Sequence, residues 1–194
     1  MTRPISATLD TMRLGNYQPL LELASGGMAT VYVARQVGGA GFERLVVIKR
    51  VHPHLRKDRA FTDMFLDEAR MCSTIRHPNV VPVIDVVDGG NELFLVLEYI
   101  ESLSLYALLQ GAAGRGERVP AAIVSRILVD ALAGLHAAHE AVDLRGNKMH
   151  LIHRDVSPQN IIVGTDGTSR LIDFGIAKAA SRITTTRDGV VKGK

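Results

Sequence analysis

Cysteine is almost absent from this 194-residue chain: Cys72 is the only one. No disulfide can form within the chain, which fits a reducing compartment, the cytoplasm, more easily than an oxidising one. An excess of one charge is also missing. The 23 Lys and Arg against 20 Asp and Glu leave a formal +3, too little to expect nucleic acid as the main partner. The opening stretch MTRPISATLDTMRLGNY lacks an apolar core of signal-peptide length, and no window is read as approaching a membrane-spanning run, so no membrane segment is expected within 1–194. Internal repeats are not found. What is there is ordinary for a globular chain, 46% hydrophobic and 22% charged, enough to build one domain or two small lobes.

Residues 1–16 are polar and unpatterned and read as a leader. Alternation starts at Tyr17, and two runs, Tyr17 to Leu23 and Thr30 to Arg35, flank the turn Ser25-Gly26-Gly27-Met28, which predicts a hairpin with a glycine-rich tip. A third strand is expected over Leu45 to Val51. From Phe61 to Ile75 the apolar residues Phe61, Phe65, Cys72 and Ile75 recur at helical spacing, and Glu68 falls on the same stripe. His77-Pro78-Asn79 ends that helix, and Val80 to Val87 and Leu93 to Ile100 read as strands around the turn Asp88-Gly89-Gly90-Asn91. Helix then dominates: Leu103 to Gln110, a loop over Gly111 to Arg118, and a long apolar helix from Pro120 to about Glu140. Short extended pieces at His150 to Asp155, Asn160 to Val163 and Arg170 to Asp173 follow, with a turn at Asp166-Gly167. A strand-rich half before a helix-rich half is an α+β arrangement of two lobes.

Three features carry chemistry. Gly26 and Gly27 present no Cβ, so backbone amides could approach a phosphate there; an ordinary hairpin turn is the other reading. Lys49 shares strand parity with Val47 and so points to the same face. Glu68 on its apolar helix stripe is either the counter-charge that a buried lysine needs or a separately solvated residue. The third is the string His153-Arg154-Asp155-Val156-Ser157-Pro158-Gln159-Asn160, followed by Asp173-Phe174-Gly175. Asn160 and Asp173 are hard oxygen donors suited to Mg2+, while Asp155 is a carboxylate able to accept a proton.

Taken in order, LASGGMATVY, VVIK, the Glu68 helix, HRDVSPQN and DFG resemble the motif set of eukaryotic-like serine/threonine protein kinases, in particular their bacterial branch. The resemblance covers about residue 17 to 194. It implies a two-lobe kinase fold, with an antiparallel five-stranded N-lobe carrying one helix over 17–100 and an incomplete helical C-lobe over 101–194. It also implies transfer of the γ-phosphate of ATP to a Ser or Thr hydroxyl of a protein substrate. On that resemblance the turn of Ala24, Gly26 and Gly27 covers the phosphates, Val31 and Val47 cap the adenine, and Lys49, held by Glu68, grips the α- and β-phosphates. Leu97 guards the adenine pocket, the backbone of Glu98 and Ile100 bonds the base, and Ile162 lies beneath it. Asp155 is the catalytic base, and Asn160 and Asp173 hold Mg2+. A packed column of Val83, Cys72, His153 and Phe174 is implied as well. Arg154 beside Asp155 resembles the class activated by loop phosphorylation, with Thr184, Thr185 or Thr186 as the candidate acceptor for self-phosphorylation.

The sequence departs from the family pattern in places. Ala24 and Ala29 stand where the family loop has its first and third glycines, and Ser157 replaces the lysine usual two residues after the catalytic aspartate. Tyrosine kinases carry a small residue there, whereas Pro158 keeps the Ser/Thr form. After DFG the sequence runs through TTTRDGVVKGK without an Ala-Pro-Glu motif. It therefore reads as cut within the activation segment, and an isolated 1–194 fragment is expected to be poorly soluble and inactive. A pseudokinase or ATP-binding scaffold is the alternative, and a small-molecule phosphotransferase of the same fold is a more distant one.

Overall fold

The computed structural model describes residues 12–143 and 145–174, apart from the side chain of Glu68. Two compact units form: residues 12–66 together with 83–99, and residues 67–82 together with the described residues of 100–174.

The first unit is built on five antiparallel strands, β1 (Tyr17–Ser25), β2 (Ala29–Val37), β3 (Glu43–Val51), β4 (Val83–Gly89) and β5 (Glu92–Glu98), in the order β1-β2-β3-β5-β4. Alternation decides the faces. Ala34, Val46, Ile48 and Val96 are wholly buried, and with Leu14, Tyr17 and Phe94 they form one core cluster. The Tyr17 ring meets Phe94 edge-on at 5.7 Å, and its hydroxyl donates to Asp85 at 3.0 Å. Burial, and then the Asp85 carboxylate, push the Tyr17 hydroxyl up to about 12. A short helix, α1 (Pro53–Arg56), follows β3, and α2 (Arg59–Ser73) begins where Asp58 Oδ1 accepts the Phe61 amide at 3.2 Å. A cap of this kind is worth about 1 kcal/mol.

In the second unit a three-stranded antiparallel sheet, β6 (Ser102–Ser104), β7 (Ile161–Gly164) and β8 (Ser169–Leu171), accompanies α3 (Leu105–Gly114) and α4 (Ala121–His139). Ser104 ends β6 and caps α3, its hydroxyl accepting the Ala107 amide at 3.1 Å. Residues 77–82 group with this unit through β8. Asn79 Nδ2 donates to the Ser169 carbonyl at 2.9 Å, the Leu171 amide donates to the Asn79 carbonyl at 2.9 Å, and the Val81 amide donates to the Leu171 carbonyl at 3.0 Å.

Gly134 of α4 is needed for close approach to that strand. A Cβ there would lie 2.6 Å from the Asn79 carbonyl oxygen and 3.0 Å from Leu171 Cδ1. Both neighbours are held, the first by its bond from Leu171 and the second by full burial. Gly134→Ala is expected to destabilise the second unit by about 1–3 kcal/mol, as overpacking does, and a lower denaturation midpoint is the check.

The α+β class and the five-stranded sheet agree with the sequence reading, but several bounds need correction. The strand expected from Val80 starts at Val83; Val80 instead makes a single parallel bridge to Leu171. The stretch expected to be helical from Leu103 is first a strand, β6, and its helix runs on to Gly114. His150 to Asp155 form no strand, because His150 and Arg154 adopt left-handed backbone, with φ of 47° and 60°. The expectation that no window approaches membrane-spanning length is overturned too: α4 is long and apolar enough by length and composition alone. Ile127, Asp130, Ala131, Gly134 and Ala138 of α4 are buried within the unit, where Asp130 Oδ2 accepts the Ser169 amide at 3.0 Å.

Candidate active site

In the first unit, strand register sets the site. Val31 faces Lys49 across β2 and β3, Val47 faces Leu97 across β3 and β5, and Lys49 faces Leu95. Paired residues of antiparallel strands share a face. Val31, Val47, Lys49 and Leu97 therefore lie together on the face opposite the Ala34, Val46, Ile48 and Val96 core. Lys49 is 8% exposed, and such burial of an ammonium group is rare unless it has a partner. Ala24 pairs with Val31 at the end of β1, and Glu98 is the last residue of β5, opposite Val46.

The glycine-rich turn joins β1 to β2. Its Gly26 amide donates to the Ala29 carbonyl at 3.0 Å. Neither Gly26 nor Gly27 has a positive φ. A Cβ on Gly27 would meet nothing within 4 Å, and one on Gly26 would only touch the Ala29 carbonyl at 4.0 Å. The local fold demands neither glycine.

In the second unit the HRDVSPQN segment and the start of DFG are tied together. Asn160 Nδ2 donates to the Asp155 carbonyl at 2.9 Å and to Asp155 Oδ2 at 3.0 Å, so its amide oxygen is not spent on that carboxylate. The Ile172 amide donates to the Asn160 carbonyl at 3.0 Å. His153 Nε2 lies 3.0 Å from the Ile172 carbonyl; a carbonyl can only accept, so Nε2 carries the proton. The His153 ring packs on Phe174 with centroids 4.5 Å apart. Burial holds the His153 pKa below its ordinary value, opposed by the bond to Ile172.

Arg154 and Asp173 both have left-handed backbone, with φ of 60° and 57°. Outside glycine such conformations cost free energy and gather at functional sites. Ile162 lies on β7 between Ser104 and Arg170, alternating with buried Ile161. Ile100 accepts the Ser102 hydroxyl at 2.9 Å through its carbonyl.

Not every expected residue can be placed. Glu68 lies within α2, but its side chain, like Gly175 and Thr184, Thr185 and Thr186, falls outside the described residues. Of the expected column, His153 and Phe174 are in contact, and Cys72 is buried in α2. Among the described residues no group of three His, Cys, Asp or Glu is arranged to hold a metal. The two donors read as metal ligands, the Asp173 carboxylate and the Asn160 amide oxygen, are of the kind that suits Mg2+, which takes few protein ligands and completes its shell with water and phosphate.

The sequence reading missed His52. Its ring nitrogen Nε2 lies 2.7 Å from the Gly26 carbonyl. The available signal was His52-Pro53, a residue preceding a proline at a helix start.

Residues 17–192 match the family model described as the protein kinase domain. The tyrosine-protein kinase MasK of Myxococcus xanthus is 42% identical over 180 residues, covering 93% of this chain and 28% of MasK. The serine/threonine-protein kinase pkn2 of Myxococcus xanthus is 35% identical over 202 residues, covering 100% of this chain and 22% of pkn2. This chain thus spans less than a third of either relative. Among solved structures, the PknI kinase domain of Mycobacterium tuberculosis superimposes with a TM-score of 0.66 at 25% identity, over 87% of this chain and 62% of that one.

Proposed function

The chain belongs to the protein kinase domain family, and from that membership we propose that the protein it forms part of transfers the γ-phosphate of ATP to Ser or Thr hydroxyls of protein substrates. The observation that most supports this reading is the tie between Asp155, Asn160 and the residues leading into Asp173. One amide side chain orients the carboxylate, and one backbone bond fixes the spacing of the two segments.

In this reading Asp155 accepts the proton of the attacking hydroxyl, and Asn160 holds its carboxylate in line. Asn160 Oδ1 and the Asp173 carboxylate would hold Mg2+, which would supply charge neutralisation on the phosphates. Lys49, supported by Glu68, holds the α- and β-phosphates. Gly26 and Gly27, which the local fold does not require, admit the phosphates to the backbone of the turn, with Ala24 at its edge. Val31, Val47, Leu97 and Ile162 contact the adenine, and the backbone of Glu98 and Ile100 hydrogen-bonds it. Thr184, Thr185 or Thr186 is assigned as the self-phosphorylation site that pairs with Arg154, and the lone buried Cys72 is the basis for assigning the cytoplasm. Activity is assigned to the full-length protein. In an isolated 1–194 fragment, α4 would present Ile123, Leu128, Val129 and Leu132 to water, an apolar patch that favours aggregation.

A second acceptor, tyrosine, is favoured by Ser157 and by the name of MasK. Pro158-Gln159-Asn160 and the name of pkn2 favour Ser/Thr. Phosphoamino-acid analysis of the labelled full-length protein and of mixed protein substrates decides between them: phosphoserine and phosphothreonine are expected, and phosphotyrosine alone would refute the Ser/Thr assignment.

A further inference from the structure

We propose that His52 is a positioning residue for the glycine-rich turn, a role that rests on the proposed contact between that turn and the ATP phosphates. The β2–β3 ladder ends at the pair Ala29 and Val51, so His52 is the next residue of the chain as it leaves the sheet beside the turn. It takes hold of the turn at two points. Its backbone amide donates to the Met28 carbonyl at 2.9 Å, and its ring Nε2 donates to the Gly26 carbonyl at 2.7 Å.

Peptide planarity gives these bonds a consequence. The Gly26 carbonyl and the Gly27 amide belong to one trans peptide unit and point in opposite directions. Drawing the carbonyl toward His52 turns the Gly27 N–H away from it. Backbone N–H groups turned outward in a tight turn are what an anion requires. Without a tether, two successive glycines leave the turn many conformations, and ordering them on binding lowers affinity.

The anchor is itself held. The His52 carbonyl accepts the Leu55 amide at 3.0 Å and the Arg56 amide at 3.4 Å, and Pro53 fixes the first turn of α1. The His52 ring stacks on His54 with centroids 5.7 Å apart and planes inclined by 15°. Arg56 then pairs with Asp88 at 2.5 Å and donates to the Gly90 carbonyl at 3.4 Å. Through α1, the turn is referenced to the connection between β4 and β5 on the same unit.

The test compares His52→Ala and His52→Gln with wild type in the full-length protein. Hydrogen exchange across residues 26–29 is measured without nucleotide, and KM for ATP is measured with kcat. Loss of one such hydrogen bond is expected to raise KM about three- to tenfold, with kcat within about twofold and faster exchange in the turn. Gln carries an amide N–H at similar reach and should restore most of both. Unchanged exchange or unchanged KM in His52→Ala overturns the proposal, as does a fall in kcat alone or a Gln variant no better than Ala. A wild-type protein that binds no ATP would overturn the functional reading beneath it, an outcome that the exchange data, taken without nucleotide, keep distinct from failure of the tether.

Discussion

Asp155→Asn in the full-length protein is expected to lower kcat for phosphotransfer by about 10²–10⁴, the usual worth of a positioned general base, while ATP affinity stays within about twofold. The substitution keeps the shape of the side chain and its neighbour. Asn160 Nδ2 is 3.0 Å from Asp155 Oδ2 and 2.9 Å from the Asp155 carbonyl, so an amide oxygen at position 155 can still accept that donor. What is lost is the basicity. A steady-state rate measurement paired with a nucleotide titration separates the two quantities, and a variant that loses ATP binding in step with rate would show that Asp155 supports the fold and not the proton transfer.

Asp173→Asn carries the second large effect. Asp173 sits in left-handed backbone, φ 57°, a region that asparagine tolerates better than alanine, so the substitution removes the negative charge with the least disturbance of the chain. Charge stabilisation by a bound metal is worth several kcal/mol in a phosphoryl transition state, and each 1.4 kcal/mol is about tenfold in rate. The variant is therefore expected to lose about 10²–10⁴ in rate and most of the Mg2+ dependence of its nucleotide binding. Titrating ATP with and without Mg2+ checks this. Undiminished Mg2+-dependent binding in Asp173→Asn would move the metal to other ligands.

Lys49 was legible in the sequence because strand parity is rigid: once Val46 to Ile48 is read as a strand, Lys49 must share a face with Val47, and burial of Lys49 to 8% follows that reading. The Asp155 and Asn160 pair was legible as residue types at a fixed spacing. Contacts between segments distant in sequence were not. Nothing local to Asn79 announces that its amide reaches Ser169, 90 residues on, or that this draws residues 77–82 onto β8 and turns an expected strand start at Val80 into a single bridge. β6 is three residues long, too short for alternation to register, and it exists because β7 offers it an edge. The apolar character of α4 was visible, but its span was read as short of membrane length, which by length and composition it is not; the burial of Asp130 and its bond from the Ser169 amide depend on a strand distant in sequence. His52 was missed for a related reason: its partner, Gly26, is 26 residues away and offers only a backbone oxygen.

The measurement that tests the central claim most directly is transfer of label from γ-labelled ATP to protein by the wild-type full-length protein, run beside Asp155→Asn, with and without Mg2+. Label on protein that requires Mg2+ and falls by at least about 10² in the variant is the predicted result. Mg2+-dependent ATP binding with no transfer above the Asp155→Asn background would contradict it and identify an ATP-binding scaffold instead of an enzyme.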